Sequence, residues 1–194
     1  MKFTKRQIEI IESATILIGE KGIQNLTTKN LAKKMSFTEP ALYRHFKNKT
    51  EILKSILIYY KENLGIGLKT IFNSDITGLD KINKMIDFQF DHFTKFPSVV
   101  MVIFSETSFQ YDNTLSKVVS DIIAQKRVMV SKIITSGQDE GSIRNDIGAE
   151  QLTTVVLGSM RLTVLEWRLS NYNFSLTKKG LILCRSIEIL LKKE

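Results

Sequence analysis

Two short helical patterns joined by a tight turn occupy residues 27–51, and this segment limits the fold most strongly. The first pattern predicts a helix whose N-cap is Thr27 or Thr28, since threonine hydroxyls cap helices and the apolar residues that follow recur on one helical face. Those apolar residues are Leu31, Ala32 and Met35. Ser36 and Phe37 form the turn, so a second helix is predicted to begin directly after it.

The second helix is predicted to start near Thr38, which can act as its N-cap. Pro40 falls in the first turn, where a backbone N–H has no helical partner to lose. Leu42 and Phe46, four residues apart, are predicted to face inward. The residues left pointing outward are Glu39, Ala41, Tyr43, Arg44 and His45. This polar and aromatic surface has the size that fits a DNA major groove, so the segment is interpreted as a helix-turn-helix.

With its flanking residues, the segment resembles the TetR family of bacterial transcriptional repressors. The matching residues are Thr27-Thr28, Ala32, Leu42-Tyr43-Arg44-His45-Phe46 and Lys49. A preceding helix fits as well, with Thr4 and Gln7 at capping-box spacing at its start and Gly22 at its end. The match covers roughly residues 4–64. It implies an all-α fold with an N-terminal three-helix helix-turn-helix DNA-binding domain and a C-terminal helical domain for ligand binding and dimerisation.

The turn departs from the family pattern, which commonly has an Ala-Gly-Val type sequence where this chain has Met35-Ser36-Phe37. Family members also commonly carry a small residue near the position of Pro40. If the turn requires a left-handed residue, serine there costs roughly 1 kcal/mol that glycine avoids. The altered turn is therefore a point at which the structure tests the resemblance.

Length and charge agree with a DNA-binding module joined to a second region. The 194 residues exceed one such module, which predicts two domains, 1–64 and 65–194. Residues 1–64 hold 12 Lys or Arg against 6 Asp or Glu, whereas the remainder holds 16 against 14. Positive charge gathered at one end indicates a polyanion partner, because phosphate binding releases condensed counterions. Together with the motif, it predicts double-stranded DNA as the partner.

Helical periodicity and the presence of only two prolines favour an all-α architecture throughout. Asn48 and Glu51 predict the start of a long helix that ends near Leu64, and the glycine-bearing stretch 65–79 is expected to fray or bend it. The further predicted helices cover residues 79–96, 99–109, 115–135, 149–169 and 176–193. A polar loop with glycines is expected at 137–148.

The last two predicted helices carry more apolar surface than a short domain needs. The resemblance implies that they pack against a second copy to form a four-helix homodimer interface, although burial within one chain is the alternative. Gly158 and Ser159 would allow close approach of the helices. A two-fold axis would place two recognition helices about 34 to 36 Å apart, which matches successive major grooves and a palindromic operator.

Contacts to phosphates position a protein on DNA, whereas contacts to base edges read the sequence. The resemblance assigns phosphate contacts to Thr28, Tyr43, His45 and Lys49. Base contacts are predicted for Thr38, Glu39, Ala41 and Arg44, with Lys29 assisting from the preceding helix. Basic residues ahead of the first helix, Lys2, Lys5 and Arg6, are candidates for an adjacent groove or phosphate.

Two of these assignments leave alternatives open. His45 could be a capping or partly packed side chain, although its place in the motif favours the DNA face. Phe37 could contact a thymine methyl, and a hydrophobic plug between the helices is the preferred interpretation.

The resemblance further implies a small-molecule effector in the C-terminal domain. The aromatic and methionine residues that could line its pocket are Phe88, Phe93, Met101, Phe104, Phe109, Tyr111, Met160 and Trp167. Residue by residue, ordinary core is the competing interpretation. The density of Phe and Met between residues 85 and 111 favours an apolar or aromatic effector, with a cationic group if Glu106 or Asp91 points inward.

Several protein classes are disfavoured. The chain has two histidines and no glycine-rich phosphate loop or nucleophile motif, so neither an enzyme nor a cofactor is expected. Asp87, Asp91 and His92 could form one wall of a metal site, but a solvated helix face explains them better. Cys184 as a single cysteine, together with the lack of a membrane span or signal peptide, predicts a cytoplasmic protein without membrane contact. The remaining alternative is a helical partner-binding or architectural DNA-binding protein without sequence-specific readout.

Overall fold

The computed structural model describes residues 3–192, without the side chains of Glu106 and Thr107. The helices in this part of the chain are α1 (Lys5–Lys21), α2 (Thr28–Lys34), α3 (Glu39–Tyr43), α4 (Lys49–Phe72), α5 (Gly78–Lys95), α6 (Pro97–Ile103), α7 (Glu106–Phe109), α8 (Asn113–Asp139), α9 (Ala149–Leu169) and α10 (Leu176–Leu191), with a 3-10 turn at Ile23–Asn25. The described residues form no strand. The all-α class predicted from the sequence is confirmed.

The chain packs as two compact units. The first unit contains residues up to Asn63 together with Phe96–Asp121, and the second contains Leu64–Lys95 together with the residues from Ile122 onward. In the first unit α6 packs on α1, where Gly19 leaves room for the side chain of Ser98. This pairing brings the 96–121 segment to the N-terminal residues, although the division at residue 64 assigns it to the C-terminal domain. That division of function stays a prediction.

Capping residues determine where α1 begins and ends. Thr4 is its N-cap and forms a reciprocal capping box with Gln7, whose backbone N–H donates to the Thr4 hydroxyl over 3.2 Å. Gly22 follows the helix with φ of 79°, a conformation that costs glycine little. Both ends agree with the prediction. The buried inner face of α1 consists of Ile10, Ile11, Ala14, Leu17 and Ile18.

The long helix α4 differs from the prediction at its C-terminal end. Instead of fraying near residue 65 it continues to Phe72 through Gly65 and Gly67. A Cβ at position 67 would overlap the ring of Phe88 on α5, so glycine there allows the two helices to approach closely. The expected weakening by glycine is therefore offset by packing in the second unit, which the local pattern does not reveal.

The loop predicted at 137–148 is also shorter than expected, because α8 continues to Asp139. Gly137 lies inside the helix, where a Cβ on Gly78 would come within 2.6 Å of its Cα atom. The remaining polar loop is tied to the end of α8 by a hydrogen bond, since the side chain of Gln138 donates to the carbonyl oxygen of Arg144 over 2.8 Å. The predicted helix at 99–109 is divided, with α6 ending at Ile103 and α7 beginning at Glu106.

The last two helices have the predicted limits to within two residues and are apolar on more than one face. Their buried apolar residues lie in the core of the second unit: Leu152, Val156, Met160, Val164, Trp167, Leu176, Cys184, Ile187 and Leu191. A further set of large apolar residues is exposed: Val155, Leu162, Leu169, Leu181, Ile182, Ile189 and Leu190. Ile189 is the most exposed of these residues, with 77% of its surface accessible to solvent. In a single copy of the chain these residues are uncovered.

Candidate nucleic-acid interface and effector site

The turn between α2 and α3 is a Schellman motif with serine at its left-handed position. Ser36 has φ of 56°, and the backbone N–H of Phe37 donates to the carbonyl oxygen of Ala32 over 2.8 Å. The N–H of Ser36 donates to the carbonyl oxygen of Lys33 over 3.3 Å, which completes the 6→1 and 5→2 pattern. Glycine usually occupies the left-handed position of this turn. Here serine occupies it, and its Cβ adds strain that glycine would avoid.

Replacing Ser36 by glycine is expected to raise the free energy of unfolding by about 1 kcal/mol, because glycine adopts φ near 60° without a Cβ clash. Urea unfolding monitored by circular dichroism measures the change. Ser36→Ala is the matched control, since alanine removes the hydroxyl and keeps the Cβ. Equal stability of the glycine and alanine variants would contradict the strain.

Helix α3 is short and presents an open face. It begins with Thr38 as the N-cap residue, whose hydroxyl makes no capping hydrogen bond, and Pro40 lies in its first turn. Leu42 and Phe46 are buried as predicted, whereas Tyr43 is 50% exposed. Arg44 is exposed directly after the helix, in its C-cap position. The exposed side chains of Thr38, Tyr43 and Arg44 can therefore approach DNA without disrupting the core.

Two of the predicted DNA-contacting residues bind each other. The hydroxyl of Thr28 on α2 donates to the carboxylate of Glu39 on α3 over 2.6 Å, and both side chains are half-buried. Ala41 is also half-buried, while Lys29 is exposed on α2. A phosphate that accepts from Thr28 would have to replace the Glu39 carboxylate, since a hydroxyl donates one hydrogen bond at a time.

Lys49, the first residue of α4, contacts the 3-10 turn that precedes α2. Asn48 precedes the helix, and its side-chain oxygen accepts from the backbone N–H of Glu51 over 2.8 Å, as the capping spacing predicted. The ammonium of Lys49 lies 3.4 Å from the carbonyl oxygen of Ile23 and donates to it. The backbone carbonyl of His45 accepts from Gln7 over 3.2 Å, and the side chain of His45 is half-buried.

Residues ahead of the recognition module have defined contacts. The guanidinium of Arg6 lies 5.0 Å from the ring centre of Phe37 and forms an ion pair with Glu9 over 2.6 Å. Phe37 is half-buried beneath this cation, and its role as a plug between the helices stays a prediction. Lys5 is exposed, and Lys2 lies outside the described residues.

The predicted effector-lining residues divide between the two units. Met101, Phe104, Phe109 and Tyr111 belong to the first unit, and Phe88, Phe93, Met160 and Trp167 belong to the second. All are buried or half-buried except Tyr111, which is 91% exposed and therefore encloses no space in this structure. Within the second unit an open groove of about 370 Å³ lies between α4 and α8, and its lining is a different set: Lys69, Phe72, Asn73, Gln125, Val128, Met129 and Lys132.

Asp87 and Asp91, two acidic residues considered as partners for a metal or a cationic effector, have other contacts. Asp91 is exposed and forms an ion pair with Lys95 over 2.7 Å, and the side chain of Glu106 lies outside the described ones. Asp87 accepts a hydrogen bond from the thiol of Cys184 over 3.6 Å. Burial and the nearby Asp87 carboxylate raise the pKa of the Cys184 thiol to about 12. Three or more metal-ligating side chains do not gather anywhere in the described part of the chain.

The sequence pattern did not predict a half-buried charged group in the second unit. Lys126 on α8 is half-buried and donates to the side-chain oxygen of Gln89 on α5. Desolvation, with the nearby Arg161 charge second, lowers the pKa of Lys126 to about 8. A signal for it exists in the sequence, because Lys126 shares a helical face with the buried Val130 and Ile133.

None of the described helices combines the length and the apolar character needed to cross a membrane.

Comparison with known proteins identifies two regions of the chain. Residues 10–56 match bacterial regulatory proteins of the tetR family, and residues 67–188 match the C-terminal region of YsiA-like proteins. The fatty acid metabolism regulator protein of Bacillus subtilis (strain 168) is 22% identical over 174 residues, which are 88% of this chain and 88% of that protein. Nucleoid occlusion factor SlmA of Mannheimia succiniciproducens is 26% identical over 99 residues, which are 51% of this chain and 46% of that protein.

The fold agrees with these matches. The crystal structure of the transcriptional regulator FadR from Bacillus subtilis, in complex with stearoyl-CoA, superposes with a TM-score of 0.80 at 20% identity and covers 94% of this chain and 98% of that one. The helix-turn-helix lies within the first matched region, and the second matched region alone is more than half of the chain. The chain therefore belongs to the TetR family of DNA-binding transcriptional regulators.

Proposed function

We propose that this regulator is a ligand-responsive repressor that binds a palindromic operator as a homodimer. The observation that carries the proposal is the open face of the helix-turn-helix. Thr38, Tyr43 and Arg44 are exposed there, while Leu42 and Phe46 anchor the module in the core of the first unit. A helix that is held from one side and polar on the other is suited to the major groove.

The homodimer is supported by the exposed apolar residues of α9 and α10. Large apolar side chains uncovered along two neighbouring helices favour an interface, since monomers rarely expose contiguous patches of that kind. Gly158 in α9 has open space beside its Cα atom, so a second copy could approach closely there. We propose that these helices pair with their counterparts around a two-fold axis, which repeats each recognition module on one face of the duplex.

The effector is proposed to be an apolar molecule bound in the second unit. Support comes from the buried aromatic and methionine residues of that unit and from the relative whose structure holds stearoyl-CoA. A long-chain acyl thioester has the apolar chain that such a lining would bind. Binding would favour the state with lower DNA affinity only if the ligand prefers that state over the DNA-bound one.

One further function is favoured by a specific observation. The similarity to a nucleoid occlusion factor covers about half of this chain and about half of that protein. A DNA-binding protein with a task other than regulating transcription would keep the helix-turn-helix and the dimer. It would differ in its response to ligand, because its DNA affinity would not depend on an acyl-CoA.

Selection of duplexes from a random pool by the purified protein, followed by sequencing, tests the proposal. The expected result is an enriched inverted repeat with half-sites about one helical turn apart, bound at near-physiological salt. Stearoyl-CoA is then expected to release that duplex. No enrichment with folded, dimeric protein would refute sequence-specific regulation, and enrichment without release by any apolar ligand would favour the second function.

The interface has its own test. Ile189→Glu places a charge among the exposed apolar residues of α10 and is expected to shift the protein from dimer to monomer in analytical ultracentrifugation. Lys84→Glu, at an exposed position of α5, is the control for the added negative charge. A dimer that survives Ile189→Glu unchanged would exclude this face.

A further inference from the structure

The second unit contains a lysine whose environment does not compensate its charge. Lys126 donates to the neutral side-chain oxygen of Gln89. The neighbouring charge that acts on its ammonium is the guanidinium of Arg161 on α9, which carries the same sign. Among the described residues no carboxylate lies in hydrogen-bond or ion-pair contact with this ammonium. An ammonium has three N–H donors, so one hydrogen bond to an amide leaves two donors for water or a ligand.

This arrangement costs free energy in the folded protein. An ammonium loses hydration when it is moved among helices, and a second cation nearby adds repulsion. The pKa of Lys126 is lowered to about 8 for these reasons, so the group is still mostly protonated at pH 7. Proteins pair such a charge when its role is structural. A lysine kept here without an acidic partner indicates an anion that is supplied from outside the chain.

We propose that Lys126 binds the negatively charged group of the effector, with Gln89 as the positioning residue that orients its ammonium. The inference rests on the proposed function, because it assigns a chemical class to the same effector. That class is an amphiphile with an apolar chain and a phosphate or carboxylate. Asp91, which would have favoured a cationic effector, pairs with Lys95 at the surface instead.

The surrounding residues suit such a ligand. Gln89 shares a face of α5 with the buried Met85, Ile86 and Phe93. The face of α8 that carries Lys126 is otherwise apolar at Val130 and Ile133. An anion that reaches the ammonium would form a charge-assisted hydrogen bond in apolar surroundings, where such bonds are strong. The desolvation of Lys126 occurs when the chain folds, so it does not reduce the affinity for the ligand a second time.

The test compares three ligands on three proteins. Stearoyl-CoA carries phosphates, stearate carries a carboxylate and stearyl alcohol carries no charge, so the first two distinguish the possible anions. The proteins are the wild type, Lys126→Met, which keeps the aliphatic length, and Lys84→Met, which removes an exposed lysine of α5 that does not line the groove between α4 and α8. Dissociation constants are measured by displacement of a fluorescent fatty-acid probe, and operator binding is measured in parallel.

Lys126→Met is expected to weaken binding of the charged ligand by roughly 10- to 100-fold and to leave the alcohol unchanged, as loss of a charge-assisted hydrogen bond implies. The Lys84→Met protein should behave as the wild type. A second readout separates a binding role from a structural one. The melting temperature of Lys126→Met is expected to equal or exceed that of the wild type, since an uncompensated charge is removed.

Three results would overturn the inference. Equal affinity of wild type and Lys126→Met for stearoyl-CoA and stearate would exclude Lys126 as the anion contact, while the proposed function stands if these ligands still release the operator. Wild-type protein that binds the operator and none of the three ligands would refute the amphiphile as effector. A lower melting temperature of Lys126→Met, with unchanged ligand affinity in the folded fraction, would make the lysine structural.

Discussion

Arg44→Ala is expected to weaken binding to the preferred duplex by about 1 to 3 kcal/mol and to relax the preference at one base position. Arg44 is exposed directly after α3, and its guanidinium can donate two hydrogen bonds to the O6 and N7 atoms of guanine. Because the side chain makes no contribution to the buried core, unfolding stability should not change. Binding titrations on the selected duplex and on its single-base variants measure the effect.

Lys49→Ala is the matched contrast. A phosphate contact carries no sequence information, so this variant should lose affinity on all duplexes alike, and the slope of log affinity against log salt should decrease by about one unit. Lys84→Ala, at an exposed position of α5, controls for the loss of one positive charge elsewhere. If Arg44→Ala and Lys49→Ala lost affinity equally on the selected and on random duplexes, the assignment of base reading to Arg44 would be wrong.

Gly78→Ala is expected to destabilise the protein by about 2 kcal/mol or more. Gly78 is the first residue of α5, and an added Cβ would lie 2.6 Å from the Cα atom of Gly137 and 2.8 Å from the carbonyl oxygen of Ile133. Both atoms are backbone of α8, so the clash can be relieved only by moving one helix. The free energy of unfolding in urea, at one fixed protein concentration, measures the loss.

Gly65→Ala provides the opposite expectation. Gly65 lies inside α4 and has open space where a Cβ would project, so alanine should stabilise the helix by about 0.5 to 1 kcal/mol through its higher propensity. The two substitutions add the same methyl group to a helical glycine. Equal effects would mean that the close crossing of α5 and α8 does not restrict position 78.

Local patterns were sufficient for features whose partners lie within a few residues. The capping box of Thr4 and Gln7, the glycine at the end of α1 and the burial of Leu42 and Phe46 all follow from interactions across one or two helical turns. The turn of the helix-turn-helix requires a left-handed residue, and Ser36 adopts that conformation. Such features are predictable because the chain itself brings the groups together.

Features that join distant residues could not be predicted in this way. Gly67 by itself favours a weak helix, but the ring of Phe88 lies close against it. Gly137 by itself favours a loop, but it lies inside α8 close to Gly78. The hydrogen bond between Thr28 and Glu39 joins two residues that had been assigned separate contacts to DNA. In each case the contacting group lies on another helix, so the pattern within one helix does not reveal the contact.

The class of the protein follows from its amino-acid sequence, because the order of capping, apolar and motif residues around α2 and α3 allows few other folds. Which surfaces are exposed depends on how the helices pack against one another. In the folded chain, apolar residues of α9 and α10 are exposed and α6 packs against α1. Lys126 lies beside Gln89 and Arg161. Periodicity describes which side of a helix is apolar, but only the packing of several helices determines which charge is buried and which apolar side remains exposed.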